Sequence, residues 1–379
     1  MRGSKTEDKG DHAFDDPASF SEAVWPREAL APTRTLACRH CGQKNRVQVP
    51  AAVVFPERHE CGACGCALFL ANDEPLVALS STAYEHSLDR KSLAALKAIP
   101  GFTELVRWTL TRVGDRAARI TLTANAVQCG DEQFPELLEL MDLARARLDI
   151  PFRPTVFLGE SPHMNAMATG LGDPMITVNS GLLDQLADDE VVAVFGHELG
   201  HLHPGHQLFH ELAQLLLIGG ATALGFAATL GWPLRAALFK WQRCSELTAD
   251  RAALLACRNL RTTIGLLLKF AGGYRPGTKS RTSIRLGPFI RQARELARQQ
   301  SGDALSGAIA AWISMDRKHP FVTWRVMHLI KWAEHGRYLD IIAGQYTRRL
   351  AGEDQRAPGY NGEDPGTQRT SQARVHADG

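Results

Sequence analysis

Apolar positions follow a helical rhythm over most of the chain, broken by a few short strand-like runs. From Tyr84 to Val113, the spacing of Leu88, Leu93 and Leu96, then Phe102, Leu105, Val106 and Leu110, predicts two helices divided by Pro100-Gly101. Ile120 to Val127 alternates as a strand does. Phe134 to Leu148 reads as an amphipathic helix ended by Pro151, and short strands are expected at Val156–Leu158 and Met175–Asn179. Helical spacing returns at Asp188, continues beyond Arg251, resumes from Pro288 to about Ile313, and opens again after Lys318-His319-Pro320. Many helices around few strands predict a mainly α fold with a small β-sheet, an α+β domain. Asn72 to Ala83 reads as a linker, and Gly272 to Ser283 as a polar, basic loop suited to a cleft rim. Residues 1 to 30 and 351 to 379 lack periodicity and are expected to be disordered.

The helix starting at Asp188 carries the clearest chemistry. Asp188 is placed to cap it, with Asp189 and Glu190 in the first turn and Pro204-Gly205 at its end. Within it lies His197-Glu198-Leu199-Gly200-His201. On a helix the two histidines sit one turn apart on one face, within reach of a single metal ion. Two imidazoles leave a tetrahedral zinc short of one protein ligand and one water. Glu198, beside them, can take a proton from that water. Glu246 lies 45 residues beyond His201, and Asp250 shares its helical face. One carboxylate can bind the metal while the other accepts a hydrogen bond from a ligand imidazole. Alternatively, Glu246, Asp250 and Arg251 pair locally on a solvated helix. His203, His206 and His210 follow the motif, but Pro204 breaks the register, so they read as surface or outer-sphere groups.

Four of the eight cysteines form two Cys-x-x-Cys pairs, Cys38/Cys41 and Cys61/Cys64, with 19 residues between them. Two such knuckles can hold a four-sulfur zinc. Gly42 and Gly65 follow the knuckles where a positive φ is needed. Val47, Val49, Phe69 and Leu70 would supply flanking strands, giving a ribbon over residues 34–72. Cys66, His40 and His59 are neighbours that four thiolates make unnecessary. The segment Cys41-Gly-Gln-Lys-Asn45-Arg-Val also resembles the ribbon ahead of certain bacterial thioredoxins, although no thioredoxin active site follows. Cys129, Cys244 and Cys257 read as buried apolar residues.

Apolar residues make up 44% of the 379 and charged ones 22%, as in a globular protein with a sizeable core. A formal net charge of +2 gives no electrostatic case for nucleic acid. The polar, acidic start, Met1 to Ser21, has no apolar run like that of a secretory signal, so a cytoplasmic location is expected. Leu212 to Leu230 is the most apolar run, and it makes 212–241 a candidate for membrane contact. Because His201 and Glu246 flank it and must meet, the chain has to leave and return on one side. A buried hairpin, peripheral membrane contact through one leaflet, and a true span all remain open.

Taken together, Asn165-Ala166-Met167-Ala168-Thr169-Gly170, Ile176–Leu183, the His197 motif, Glu246-x-x-Ala-Asp250 and His319-Pro320 with Arg325 resemble the HtpX-like zinc metallopeptidases. That group also holds the CAAX prenyl endopeptidases. The resemblance covers roughly residues 83 to 345, so a peptidase domain is expected over 83–347. It implies His197, His201 and Glu246 as zinc ligands, Glu198 as general base and Asp250 as the outer-sphere partner. It further implies that His319 and Arg325 stabilise the oxyanion, and that Asn165, Ala166, Met167 and Ala168 form an edge strand receiving an extended peptide. The expected protein is a zinc endopeptidase holding one catalytic and one structural zinc, with a protein or peptide substrate. The alternative is a non-catalytic, zinc-stabilised peptide-binding module.

Overall fold

The computed structural model describes residues 33–48, 59–218, 232–272 and 321–350, with six positions between 288 and 296. His319, the loop after Gly272, most of 288–313, residues 219–231 and both termini lie outside these residues. Two strands open the described chain, β1 (Thr33–Ala37) and β2 (Lys44–Gln48), paired antiparallel. The body follows as α1 (Ser87–Lys97), α2 (Phe102–Asn125), β3 (Ala126–Gln128), α3 (Pro135–Leu148), β4 (Thr155–Gly159), β5 (Ala166–Thr169) and β6 (Met175–Asn179). Next come α4 (Ser180–Leu183), α5 (Asp188–Leu202), α6 (Gln207–Ile218), α7 (Trp232–Cys257), α8 (Leu260–Gly272), α9 (Val322–His335) and α10 (Tyr338–Ile342). Helices with two small sheets make this an α+β fold, as the periodicity predicts.

The main sheet runs β3-β4-β6-β5, with β4 and β6 parallel and the outer pairings antiparallel. β5 is therefore an edge, and α5 lies against it. Most of α5 is buried, including Val191, Val192, Val194, Phe195, Leu199 and Leu202. Its closest neighbour is α7, and glycine sets that approach. A Cβ on Gly196 would come within 2.5 Å of the Ala256 Cβ, and one on Gly200 within 2.6 Å of the Ala252 Cβ. Two glycines one turn apart thus face Ala249, Ala252, Ala253 and Ala256, and the two backbones nearly touch.

Several expectations change. Ile120 to Val127 is not a strand. Helix α2 continues to Asn125 and only Ala126–Gln128 pairs with β4. Extending an existing helix adds one hydrogen bond per residue fixed. Ile120 is left 62% exposed, so no buried face demanded the extended form. Asp188 is the first helical residue rather than the cap; the Ala187 N–H is instead taken by Glu190, at 2.9 Å. Phe69 and Leu70 are buried without joining a strand. Nor is the stretch after Asn72 a loose linker. Leu76 and Leu79 are fully buried, Leu76 N–H bonds the Arg147 carbonyl at 2.9 Å, and Ala78 N–H bonds Asp149 at 2.5 Å. The ribbon and the helical body share one continuous core, joined through Leu36, Val47, Leu68, Leu76, Tyr338 and Ile341. A smaller core gathers Leu96, Val106 and Leu110 with Leu208, Phe209, Leu212 and Trp241, so the described ends of 212–241 pack on protein. Among the described residues, no helix is long and apolar enough to cross a membrane.

Candidate metal centre

Helices α5 and α7 carry the centre. His197 and His201 project from α5 one turn apart, their rings nearly perpendicular and 4.9 Å between centroids. Glu246 on α7 meets both. Its Oε2 lies 3.5 Å from His197 Nε2, and its Oε1 lies 3.5 Å from His201 Nε2. Ligands 2.0–2.2 Å from a tetrahedral zinc are separated by about 3.3 Å, so this donor set fits a divalent metal in geometry and in chemistry. The close glycine–alanine packing of α5 on α7 puts Glu246 within that reach.

Asp250, one turn beyond Glu246, lies 3.2 Å from His197 Nδ1. That contact leaves Nε2 facing the centre. Arg325 on α9 is itself buried. Its Nε and one terminal nitrogen meet the two Asp250 oxygens at 2.8 and 2.5 Å, and its other terminal nitrogen lies 3.0 Å from Glu246 Oε2. Burial alone would raise the Asp250 carboxyl, but Arg325 and His197 hold it below the usual range. Burial would likewise depress the His197 imidazolium, yet Asp250 and Glu246 raise it to about 10. Two carboxylates, one on each ring nitrogen, thus favour positive charge at this ring.

Glu198 points to the opposite side, toward the sheet. Its Oε2 accepts the Ala168 N–H of β5 at 2.7 Å. The next outward donor, the Gly170 N–H, goes to Glu211 on α6 at 2.8 Å. Burial raises the Glu211 carboxyl. Asn165 and Ala166 line a cavity of about 220 Å³ together with His197, Glu198, Glu246, Asp250 and Arg325. Its far wall is apolar, built by Val194, Leu266, Leu267, Phe270 and Val322. Met167 turns outward, 41% exposed.

The four ribbon cysteines are also gathered. Their sulfurs lie within 4.8 Å of one another, with Cys38–Cys64 and Cys41–Cys61 each 3.6 Å apart, and none is in a disulfide. Zn–S bonds of 2.3 Å imply sulfurs about 3.8 Å apart, so this set fits a metal too. Backbone N–H groups of Cys64 and Ala63, with Asn45, draw the Cys61 thiol down to about 6. Gly42 and Gly65 adopt φ of 75° and 70° after the knuckles, as expected. Cys129, Cys244 and Cys257 are buried.

Sequence reasoning overlooked the stripe formed by Gly196, Gly200 and the four facing alanines, although its four-residue repeat is visible. It also missed Asp89 and Glu211, which no motif marks. Of the two readings open for His203 and His206, surface or outer-sphere, burial removes the first: His203 lies against the Tyr84 hydroxyl at 2.8 Å, and His206 lies against His201 as an outer-sphere group would.

A family model for peptidase family M48 matches residues 131–333. The plastoglobule-localized metallopeptidase 48 of Arabidopsis thaliana is 27% identical over 271 residues, covering 70% of this chain and 76% of that protein. A protease HtpX homolog of Gemmatimonas aurantiaca is 31% identical, over 26% of this chain and 36% of its own length. Protease HtpX homolog 1 of Streptomyces coelicolor is 28% identical, over 42% of this chain and 60% of its own length. No solved structure matches. The matched span holds the whole His197–His201–Glu246 centre, and by it the chain belongs to peptidase family M48, the metallopeptidases that include HtpX.

Proposed function

We propose that this protein is a zinc-dependent endopeptidase whose catalytic metal is held by His197, His201 and Glu246. The observation that carries the reading is the convergence of two imidazoles and a carboxylate beside Glu198, with His197, Glu198 and Glu246 lining a cavity next to a sheet edge. When bound there, zinc supplies Lewis-acid polarisation of a peptide carbonyl and makes water easier to deprotonate.

The chain's own residues do the rest. The Ala168 N–H fixes Glu198 through Oε2, leaving Oε1 to accept a proton from the attacking water and pass it to the leaving amine nitrogen. Asp250 holds His197 in the tautomer that presents Nε2. Arg325 keeps Asp250 and Glu246 in place and, from the same position, faces the cavity where oxyanion charge would develop. His319 is proposed for the same oxyanion role from the family pattern alone. An extended peptide would lie along β5, using the backbone groups of Asn165 to Ala168 other than the Ala168 N–H that Glu198 occupies. The ribbon cysteines would hold a second, structural zinc.

The test is cleavage of a complex peptide mixture before chelation, after it, and after zinc is returned. Internal cuts that vanish with the metal and come back with zinc are expected. Trimming from chain ends only, or no cutting by zinc-loaded protein, contradicts the endopeptidase reading.

A further inference from the structure

The two motif histidines are anchored differently. His197 touches its carboxylate directly, whereas His201 reaches one through a second ring. Past the turn at Pro204-Gly205, where Gly205 has φ of 77°, the chain folds back and the His206 N–H bonds the His201 carbonyl at 3.1 Å. This return brings His206 Nδ1 to 3.3 Å from His201 Nδ1. On its other side, His206 Nε2 lies 3.1 Å from Asp89 Oδ2 on α1, within ion-pair distance though outside hydrogen-bond geometry. Asp89 is buried and doubly engaged, by the Trp241 indole N–H at 2.9 Å and the Thr248 hydroxyl at 2.5 Å. The Trp241 ring packs edge-on against His206.

The hydrogens follow from donor arithmetic. A carboxylate only accepts, so His206 Nε2 is the nitrogen that carries hydrogen. A ring with its single hydrogen there keeps its lone pair on Nδ1. Two Nδ1 atoms at 3.3 Å share one hydrogen, which must come from His201. With its hydrogen on Nδ1, His201 presents the Nε2 lone pair toward Glu246. We infer that Asp89 and His206 are positioning residues that together fix the tautomer and orientation of His201 as a metal ligand. The inference rests on the proposed role of His197, His201 and Glu246. His201, His206 and His210 also lie close enough to share a second metal. His201 and His206 instead meet Nδ1 to Nδ1 in hydrogen-bonding geometry at 3.3 Å, and His201 Nε2 is turned to Glu246, which favours a shared hydrogen over a second metal.

The experiment measures, by chelator competition in the full-length protein, the affinity of the zinc that a His201→Ala variant no longer binds. Asp89→Asn and His206→Gln should each weaken it by about 10- to 100-fold. The double variant should lose no more than the worse single one, because the two act in series. His206→Asn, whose amide oxygen can accept near the Nδ1 position, should retain affinity within a few-fold of wild type. Each comparison is read beside the thermal stability of the metal-free protein, which a merely structural role would lower without this ranking. Unchanged affinity in both single variants, additive losses, or equal losses in His206→Asn and His206→Gln would overturn the inference. So would loss of a zinc equivalent beyond the one lost in His201→Ala, which would reveal a second metal. Tight zinc binding without peptide cleavage would sink the peptidase reading and leave this chain standing, whereas a cleaving enzyme indifferent to His206 would do the reverse.

Discussion

Arg325 places all three of its guanidinium nitrogens on carboxylates, two on Asp250 and one on Glu246, with every partner buried. Removing one side of such a group strands charge away from water, at a cost of about 3–5 kcal/mol. Arg325→Met should therefore destabilise the metal-free protein by that amount in urea unfolding, and a loss below about 1 kcal/mol would contradict the pairing. The His197 proton gives a second residue-scale prediction. Its folded pKa of about 10 stands above the ordinary 6.5, so its stabilisation of the metal-free fold is complete below 6.5 and lost as pH rises through 10. Zinc must displace this proton, so apparent affinity should climb with pH up to about 10. Calorimetry of zinc return to the stripped centre, in buffers of different ionisation heat at pH 8, should show about one proton released per zinc bound there. Release of none would mean that His197 is already neutral. At this scale the sequence displayed His197, His201 and Glu246, which the fold brings together, because helical spacing fixes which side chains share a face. It hid Asp89, since nothing local links residue 89 to residue 206.

At the scale of elements, the centre exists because α5 and α7 approach through glycine and alanine. In Gly200→Ala the added carbon would sit 2.6 Å from Ala252 and force the helices apart. A stability loss of about 1–3 kcal/mol is expected, with weaker zinc binding as Glu246 draws away from His201. Gly265→Ala on α8 is the control. Its Cβ would meet only Glu190 Oε1, at 4.0 Å, and the change should be neutral or stabilise by up to about 1 kcal/mol. Thermal unfolding and zinc titration of the two variants check the pair, and similar behaviour would remove the case for glycine-set spacing. Most helices were legible from apolar period alone, including α3 and the two divided at Pro100-Gly101. Residues 120–127 were misread because the alternation of Ile120, Thr121, Leu122 and Thr123 has no buried partner face to give it meaning. Local pattern cannot report whether a helix already under way will stop.

Across the whole molecule, the ribbon does not stand apart. Arg34 donates to the His335 and Gly336 carbonyls at 3.1 and 2.9 Å, Gln345 to the Ala37 carbonyl at 2.7 Å, and the Leu70 N–H to the Ile342 carbonyl at 2.8 Å. The Arg34 bonds clamp the C-terminal end of α9, the helix that carries Arg325, and the other two hold α10 and the turn after it. Because core and clamp are shared, Cys61→Ser should shift one cooperative unfolding transition of the entire chain to lower temperature. Two separate transitions, with the peptidase part unmoved, would show the ribbon to be an independent unit. The two cysteine knuckles were plain in the sequence, but their docking was not, since Leu36, Leu76 and Ile341 come from distant segments whose contact only the fold reveals.

The central claim is that Glu198 acts on water at a metal held by His197, His201 and Glu246. Its most direct test compares wild type with Glu198→Gln on one peptide mixture, with bound zinc assayed in both. Equal zinc with cuts made only by wild type is the predicted result. Cuts by both at similar rates would remove Glu198 from the chemistry, and a variant without zinc would show that its carboxylate serves the metal rather than the proton.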